Sequence, residues 1–334
     1  MMTVPTASTG TLAGVPSLPP LLLRGALLSP LKRPRPDAGF PRTRLVLPGL
    51  RVDLARLAAY ERVCGFPTGA DALPVTYPHV LGFPVAMRLM SGRAFPLPLL
   101  GLVHTSIGIT RRAALPATGE YELCVYVEGL SPHRRGTEAR VVTELRAGGR
   151  AEPVWESRST YLARHRGDGS AAPRDGEPAA AGTQDRDPAA ANAQHRDPAA
   201  ANAQHRDPAA ANTQDHDPDA ANAGPLPVRA EWRLAGDVGR RYGAASGDRN
   251  PIHLHPFTAR LFGFPRAIAH GMWTVARCLA EHGTPDAAVV RADFRAPVLL
   301  PGTVVYGAGD GRFELRGGDG RRQHLCGEVV PYPA

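Results

Sequence analysis

The chain has 334 residues, 43% hydrophobic and 21% charged, which is enough apolar material for about two ordinary domains. Its four cysteines, Cys64, Cys124, Cys278 and Cys326, stand far apart with no C-x-x-C pair. That spacing argues against a zinc ribbon, a dithiol redox motif or a secreted disulfide scaffold, and fits a reducing cytosol. The formal charge of +8 is carried almost wholly by arginine, and the single lysine, Lys32, lies in a proline-broken stretch. P-loop, kinase-type and Schiff-base lysine chemistry in a folded core are thereby disfavoured.

The arginines are scattered singly and aromatics make up only 6% of the chain, which is not the clustered basic, stacking surface of a nucleic-acid binder. A basic surface does suit an anionic partner, such as a nucleotide-bearing thioester or an acidic carrier protein. No segment reaches the roughly 18 apolar residues of a membrane helix, and the first 23 residues carry no basic group before the apolar run. A cytoplasmic protein without a membrane span is the expectation.

Residues 1–45 are rich in Pro, Gly, Ser and Thr without a sustained period, and read as a loosely ordered arm. Helical spacing is predicted over residues 50–63, and a short proline-broken helix over 84–100. Four strand-like runs follow at 102–110, 121–128, 139–145 and 154–162, separated by turn signals such as Gly148-Gly149. Together these make a first folded piece over 46–165.

Residues 166–225 differ in kind. Arg186–His195 and Arg196–His205 are identical decapeptides, and prolines at 178, 188, 198, 208 and 218 keep a ten-residue period. Each proline interrupts any helix the alanines would start, and there is no Leu, Ile, Val or aromatic to bury through the repeats. From 171 to 224 nine acids face four arginines, so this is read as an acidic tether.

The second piece, 226–334, repeats the plan of the first. A helix is predicted over 270–282, with Met272, Val275, Ala276 and Leu279 on one face and Gly283 at its end. Strands are predicted at 288–294, 303–308, 312–315 and 324–330. A helix followed by an antiparallel meander, twice, predicts an α+β architecture.

The chemistry concentrates in Tyr242-Gly-Ala-Ala-Ser-Gly-Asp-Arg-Asn-Pro-Ile-His253, followed by Ile268-Ala-His270-Gly271. Ser246-Gly247-Asp248-Arg249-Asn250-Pro251 is turn-forming and can hold Asp248 close to His253. A carboxylate beside an imidazole is expected to raise the histidine pKa toward neutrality, giving a coupled acid/base pair. Gly271 opens a helix, so its N–H lacks an intrahelical partner and can serve a developing oxyanion.

These residues resemble the signature of the MaoC-like, (R)-specific hydratase/dehydratase family, Ser-Gly-Asp-x-Asn-Pro-Ile-His with a later Ile-x-His-Gly. The match falls on Ser246, Gly247, Asp248, Asn250, Pro251, Ile252, His253, Ile268, His270 and Gly271. The resemblance implies a double hot-dog in which each half is an antiparallel sheet wrapped around a central helix. It also implies reversible loss of water from a (3R)-hydroxyacyl thioester of CoA or of a carrier protein, without a cofactor or metal. Asp248 and His253 would be catalytic, Gly271 the oxyanion donor, and Ser246 and Asn250 supports. Leu261, Phe262 and Phe264 would line the acyl slot or pack in the core. The first piece, with Tyr77-Pro-His-Val-Leu-Gly-Phe, is similar to the non-catalytic N-terminal half of two-hot-dog members. It would complete a pseudo-dimer within one chain, with room for a homodimer of such chains, and His79, His104 and His133 would be structural or surface residues. His255 stands where the family commonly has Asp or Asn, and a His253–His255 metal pair lacks further nearby ligands. A non-catalytic acyl-thioester or carrier-protein binding module and a hot-dog thioesterase are the alternatives.

Overall fold

The computed structural model describes residues 8–165 and 224–333. The proposed tether over 166–225 therefore lies almost wholly outside the described residues.

The N-terminal half runs β1 (Thr9–Thr11), α1 (Leu18–Leu28), β2 (Arg44–Arg51), α2 (Leu54–Cys64), α3 (Tyr77–Met90), β3 (Val103–Arg111), β4 (Glu120–His133), β5 (Gly136–Ala147) and β6 (Trp155–Arg164). The C-terminal half runs β7 (Val228–Leu234), α4 (Val238–Ser246), α5 (Pro251–Leu254), α6 (Pro256–Leu261), α7 (Gly271–His282), β8 (Ala288–Phe294), β9 (Gly302–Gly309), β10 (Arg312–Gly317) and β11 (Gln323–Pro331). The eleven strands of the described residues form one sheet, ordered β1-β2-β4-β5-β6-β3-β8-β11-β10-β9-β7.

That order is the same motif read twice. From the centre outward, β3-β6-β5-β4-β2 is matched by β8-β11-β10-β9-β7. The halves join where β3 meets β8 antiparallel, with Ile107 opposite Ala292 and Ile109 opposite Val290, all buried. Each half wraps its sheet around one apolar helix. In α3, Tyr77, Val80, Val85, Met87 and Met90 are buried; in α7, Met272, Trp273, Val275, Cys278 and Leu279 are. This is an α+β double hot-dog.

The strand predictions lie on observed strands, but the helices of the first half shift. The residues expected to form a helix from 50 start in a strand, and α2 begins only at Leu54, where Asp53 caps it by accepting the N–H groups of Ala55 and Arg56 at 3.0 and 3.1 Å. The helix expected over 84–100 instead occupies Tyr77–Met90 and carries Pro84 inside it. Pro78 sits in its first turn, where a missing N–H costs nothing, and burial of nearly the whole helix outweighs the bond lost at Pro84.

The loosely ordered arm is corrected for residues 8–45. Leu21 and Gly25 of α1 are buried against the N-terminal half, and Thr9–Thr11 pair in parallel with Arg44–Val46. Proline at the start of α1 reads as a helix stop but functions as a helix start.

Candidate active site

The loop after α4 is fixed by its own polar side chains. Gly247 ends the helix at φ +85°, the left-handed region that favours glycine. The Ser246 hydroxyl accepts the Asp248 N–H at 3.2 Å, and Asp248 Oδ1 accepts the Asn250 N–H at 3.2 Å. Asn250 in turn caps α5, accepting the Ile252 N–H at 3.4 Å. Successive side-chain turns of this kind hold the backbone without a regular ladder.

Three groups converge on the loop. His253 and His270 are buried and their rings stack with centroids 3.7 Å apart, while Asp248 Oδ2 lies 3.9 Å from His270 Nε2. His253 Nδ1 is 2.8 Å from the Ile268 carbonyl, and a carbonyl only accepts. The Nδ1–H therefore donates, and the neutral ring keeps its lone pair on Nε2. His270 donates from Nε2 to the Asp248 carbonyl at 2.9 Å, which fixes the opposite tautomer and leaves Nδ1 without a protein partner.

The electrostatic expectation is corrected here. Burial lowers the pKa of His253, and the attraction of Asp248 offsets this only in part. Burial also lowers His270, well below the usual histidine range, and neighbouring His253 lowers it further. Both rings are therefore neutral near pH 7. His270, matched in the motif but given no role by the sequence, is the residue that braces the Asp248 backbone.

Asp248, His253 and His270 place ligating atoms within 4.8 Å of one another. Stacked rings direct their in-plane lone pairs side by side, whereas a metal needs them convergent. The set suits proton transfer better. His255 is exposed while His253 is buried, so these two do not pair.

Gly271 is the first residue of α7, where backbone N–H groups lack helical partners. A Cβ there would lie 2.9 Å from Phe294 Cε1, so the ring closes directly over this helix end. Phe294 stands 4.8 Å from His104, which stacks on Tyr161 at 4.6 Å and lies 5.9 Å from His79. Asp248 acts electrostatically on both His79 and Tyr161. The N-terminal half thus forms the facing wall. His79 and His104, expected as structural or surface histidines, lie in this wall between the halves. Each is surrounded by protein yet keeps some accessible surface, and His79 Nδ1 and His104 Nε2 have no protein partner. The pattern Tyr77-Pro-His79 at a helix start carried a signal, but only β3 and β6 packing shows what it faces. His133 lies at the far end of β4, accepting the Arg135 N–H.

Leu261 and Phe262, expected in the acyl slot, are 71% and 39% exposed at the end of α6. Phe264 is half-buried.

Contacts between the halves hold this geometry. Arg56 donates to the Ala245 carbonyl at 2.8 Å, and Trp273 Nε1 donates to the Val63 carbonyl at 2.8 Å. Tyr60 and Tyr242 pack with ring centroids 5.9 Å apart.

The family model for the MaoC-like domain matches residues 220–313. The chain is 33% identical over 298 residues to 3-hydroxyacyl-thioester dehydratase X of Mycobacterium tuberculosis, covering 88% of this chain and 90% of that protein. Its fold matches a crystal structure of HtdX from M. tuberculosis with a TM-score of 0.64 and 29% identity, over 86% of this chain and 99% of that one. A MaoC-like dehydratase from Phytophthora capsici, 16% identical over 86% of this chain and 94% of that one, shares the fold with a TM-score of 0.58. The chain belongs to the MaoC-like dehydratase family.

Proposed function

We propose that the chain is a hydro-lyase that interconverts (3R)-hydroxyacyl and trans-2-enoyl thioesters in acyl metabolism, with Asp248 and His253 as its acid/base pair and Gly271 as its oxyanion donor. The observation that carries the reading is a neutral His253, tautomerically fixed with its lone pair on Nε2, beside the Asp248 carboxyl at a helix N-terminus.

In dehydration, the reacting form carries one proton on the Asp248 carboxyl while His253 is neutral. The C2–H bond breaks toward His253 Nε2 as electron density moves onto the thioester oxygen, which the Gly271 N–H stabilises. The C3–O bond then breaks, and the Asp248 proton leaves with the hydroxyl as water. The pair again carries one proton, now on His253, and hydration reverses each step. Ser246 and Asn250 position the loop, and His270 braces the Asp248 backbone. The N-terminal half supplies the other wall through His104, Tyr161 and Phe294's neighbours.

No helix of the described residues is long and apolar enough to cross a membrane. Cytoplasmic action on a thioester substrate is the reading consistent with that and with the free cysteines. Spectrophotometric loss of the enoyl chromophore with crotonyl-CoA tests the proposal, and absence of hydration with every enoyl thioester from C4 to C16 would overturn it.

A further inference from the structure

The first 36 residues contain no Asp or Glu, yet carry Arg24, Lys32, Arg33 and Arg35. The structure turns this bias into a surface. α1 buries Leu21 and Gly25 and presents Leu23 and Leu27, 62% and 68% exposed and one turn apart on the same face, while Leu31 in the 3-10 turn that follows is 77% exposed. Arg24, Arg33 and Arg35 are exposed around these leucines, and half-buried Lys32 has its pKa lowered to about 8, by burial first and by the like charge of Arg24 second. Large apolar side chains grouped on a soluble surface mark an interaction site.

The leucines stand beside a groove of about 400 Å³ that reaches the catalytic loop. Leu18 and Leu22 of α1, Pro84 of α3, Arg56, Gly247 and Arg249 line it. Gly247 and Arg249 are the two neighbours of Asp248. The approach is close enough that a Cβ on Gly247 would fall 2.7 Å from Leu18 Cδ1 and 2.8 Å from Arg56 Nη2. Two guanidinium groups thus border an otherwise apolar groove that runs from the ledge to the backbone on either side of Asp248.

We propose that α1 is a docking ledge for an acidic carrier protein, which delivers the acyl thioester through the adjoining groove to the catalytic loop. This rests on the dehydratase reading above. A free nucleotide thioester would call for a concave cationic pocket, whereas exposed leucines on a convex helix edged with arginine fit a helical surface carrying acids. A second copy of the chain would set this basic ledge against its like, or against another surface of a chain with net charge +8. Arg56 and Arg249 in the groove would supply charge for the phosphodiester of a pantetheine arm.

Two full-length variants test the ledge: the combined Arg24→Glu, Arg33→Glu, Arg35→Glu, and Leu27→Asp. The probes are crotonyl-loaded acyl carrier protein, crotonyl-CoA and crotonyl-N-acetylcysteamine. Both variants should raise the Kd for the loaded carrier, and lower its kcat/KM, by about tenfold or more, with a steep salt dependence in the wild type. Turnover of crotonyl-N-acetylcysteamine should stay within about twofold of wild type, which also reports that the variants fold. Equal losses on CoA and carrier thioesters, an unchanged carrier Kd, or a dimer that Leu27→Asp converts to monomer would each overturn the proposal. If the wild type hydrates no enoyl thioester from C4 to C16, small or carrier-bound, the dehydratase reading fails, and the carrier Kd still decides the ledge by itself.

Discussion

Four histidines whose pKa burial lowers make this fold sensitive to acid, and His79 gives the effect a size. Burial lowers its pKa from 6.5 to about 4, with Asp248 opposing the shift. Between those values the unfolded chain binds a proton on His79 that the native protein refuses, so stability falls as pH drops from about 6.5 toward 4. Above 6.5 the full contribution is present; below 4 both states are protonated and nothing more is lost. From pH 7.5 to 5.0 the loss is about 2 kcal/mol for a fully shielded ring, and about 1–2 kcal/mol once its residual accessibility is allowed for. His253, His270 and His104 shift in the same direction and add to the slope. Urea melts of wild type and His79→Gln at pH 7.5, 6.5, 5.5 and 5.0 isolate the His79 share, provided each melt is two-state. The variant should lose less stability on acidification than the wild type, by about 1–2 kcal/mol at pH 5.0. Parallel pH profiles for the two proteins would refute the argument.

Close contacts around the loop give three further predictions. Gly271→Ala places a methyl 2.9 Å from Phe294 Cε1, so turnover should fall about tenfold or more, and Phe294→Leu in the same chain should restore part of it in a crotonyl-CoA assay. Gly247→Ala faces both a φ of +85° and the Leu18 and Arg56 contacts, and should cost about 1–3 kcal/mol in urea melts. Asp53→Ala removes the cap of α2 and should cost about 1 kcal/mol by the same measurement, with kcat unchanged.

Local patterns marked the strands of both halves well, because alternating burial is written directly into runs such as Ala288–Phe294. The seam between β3 and β8 has no local sign, since its pairing depends on residues more than 170 positions apart. β2 escaped notice although Leu45, Leu47 and Leu50 are its buried positions, because proline and glycine inside Arg44–Arg51 read as loop. α1 escaped for a related reason: Pro19 and Pro20 occupy its first turn. The loop turns of Ser246, Asp248 and Asn250 were legible, because each bond spans only two residues. His79 and Tyr161 were not, because they interact with Asp248 only across the packed halves. The pKa of His253 illustrates a competition the sequence leaves open: the nearby carboxylate is visible in the motif, the desolvation that outweighs it is not.

The central claim is that Asp248 and His253 act as one proton-transfer unit, and the steady-state hydration of crotonyl-CoA by single and double variants tests it most directly. Asp248→Asn keeps shape and hydrogen bonding but removes the proton carrier, and His253→Ala removes Nε2. Each should lower kcat by about 10² to 10⁴-fold with a smaller change in KM, and the double variant should be little worse than the weaker single one. Near-wild-type hydration by Asp248→Asn, or losses that multiply in the double variant, would contradict the account.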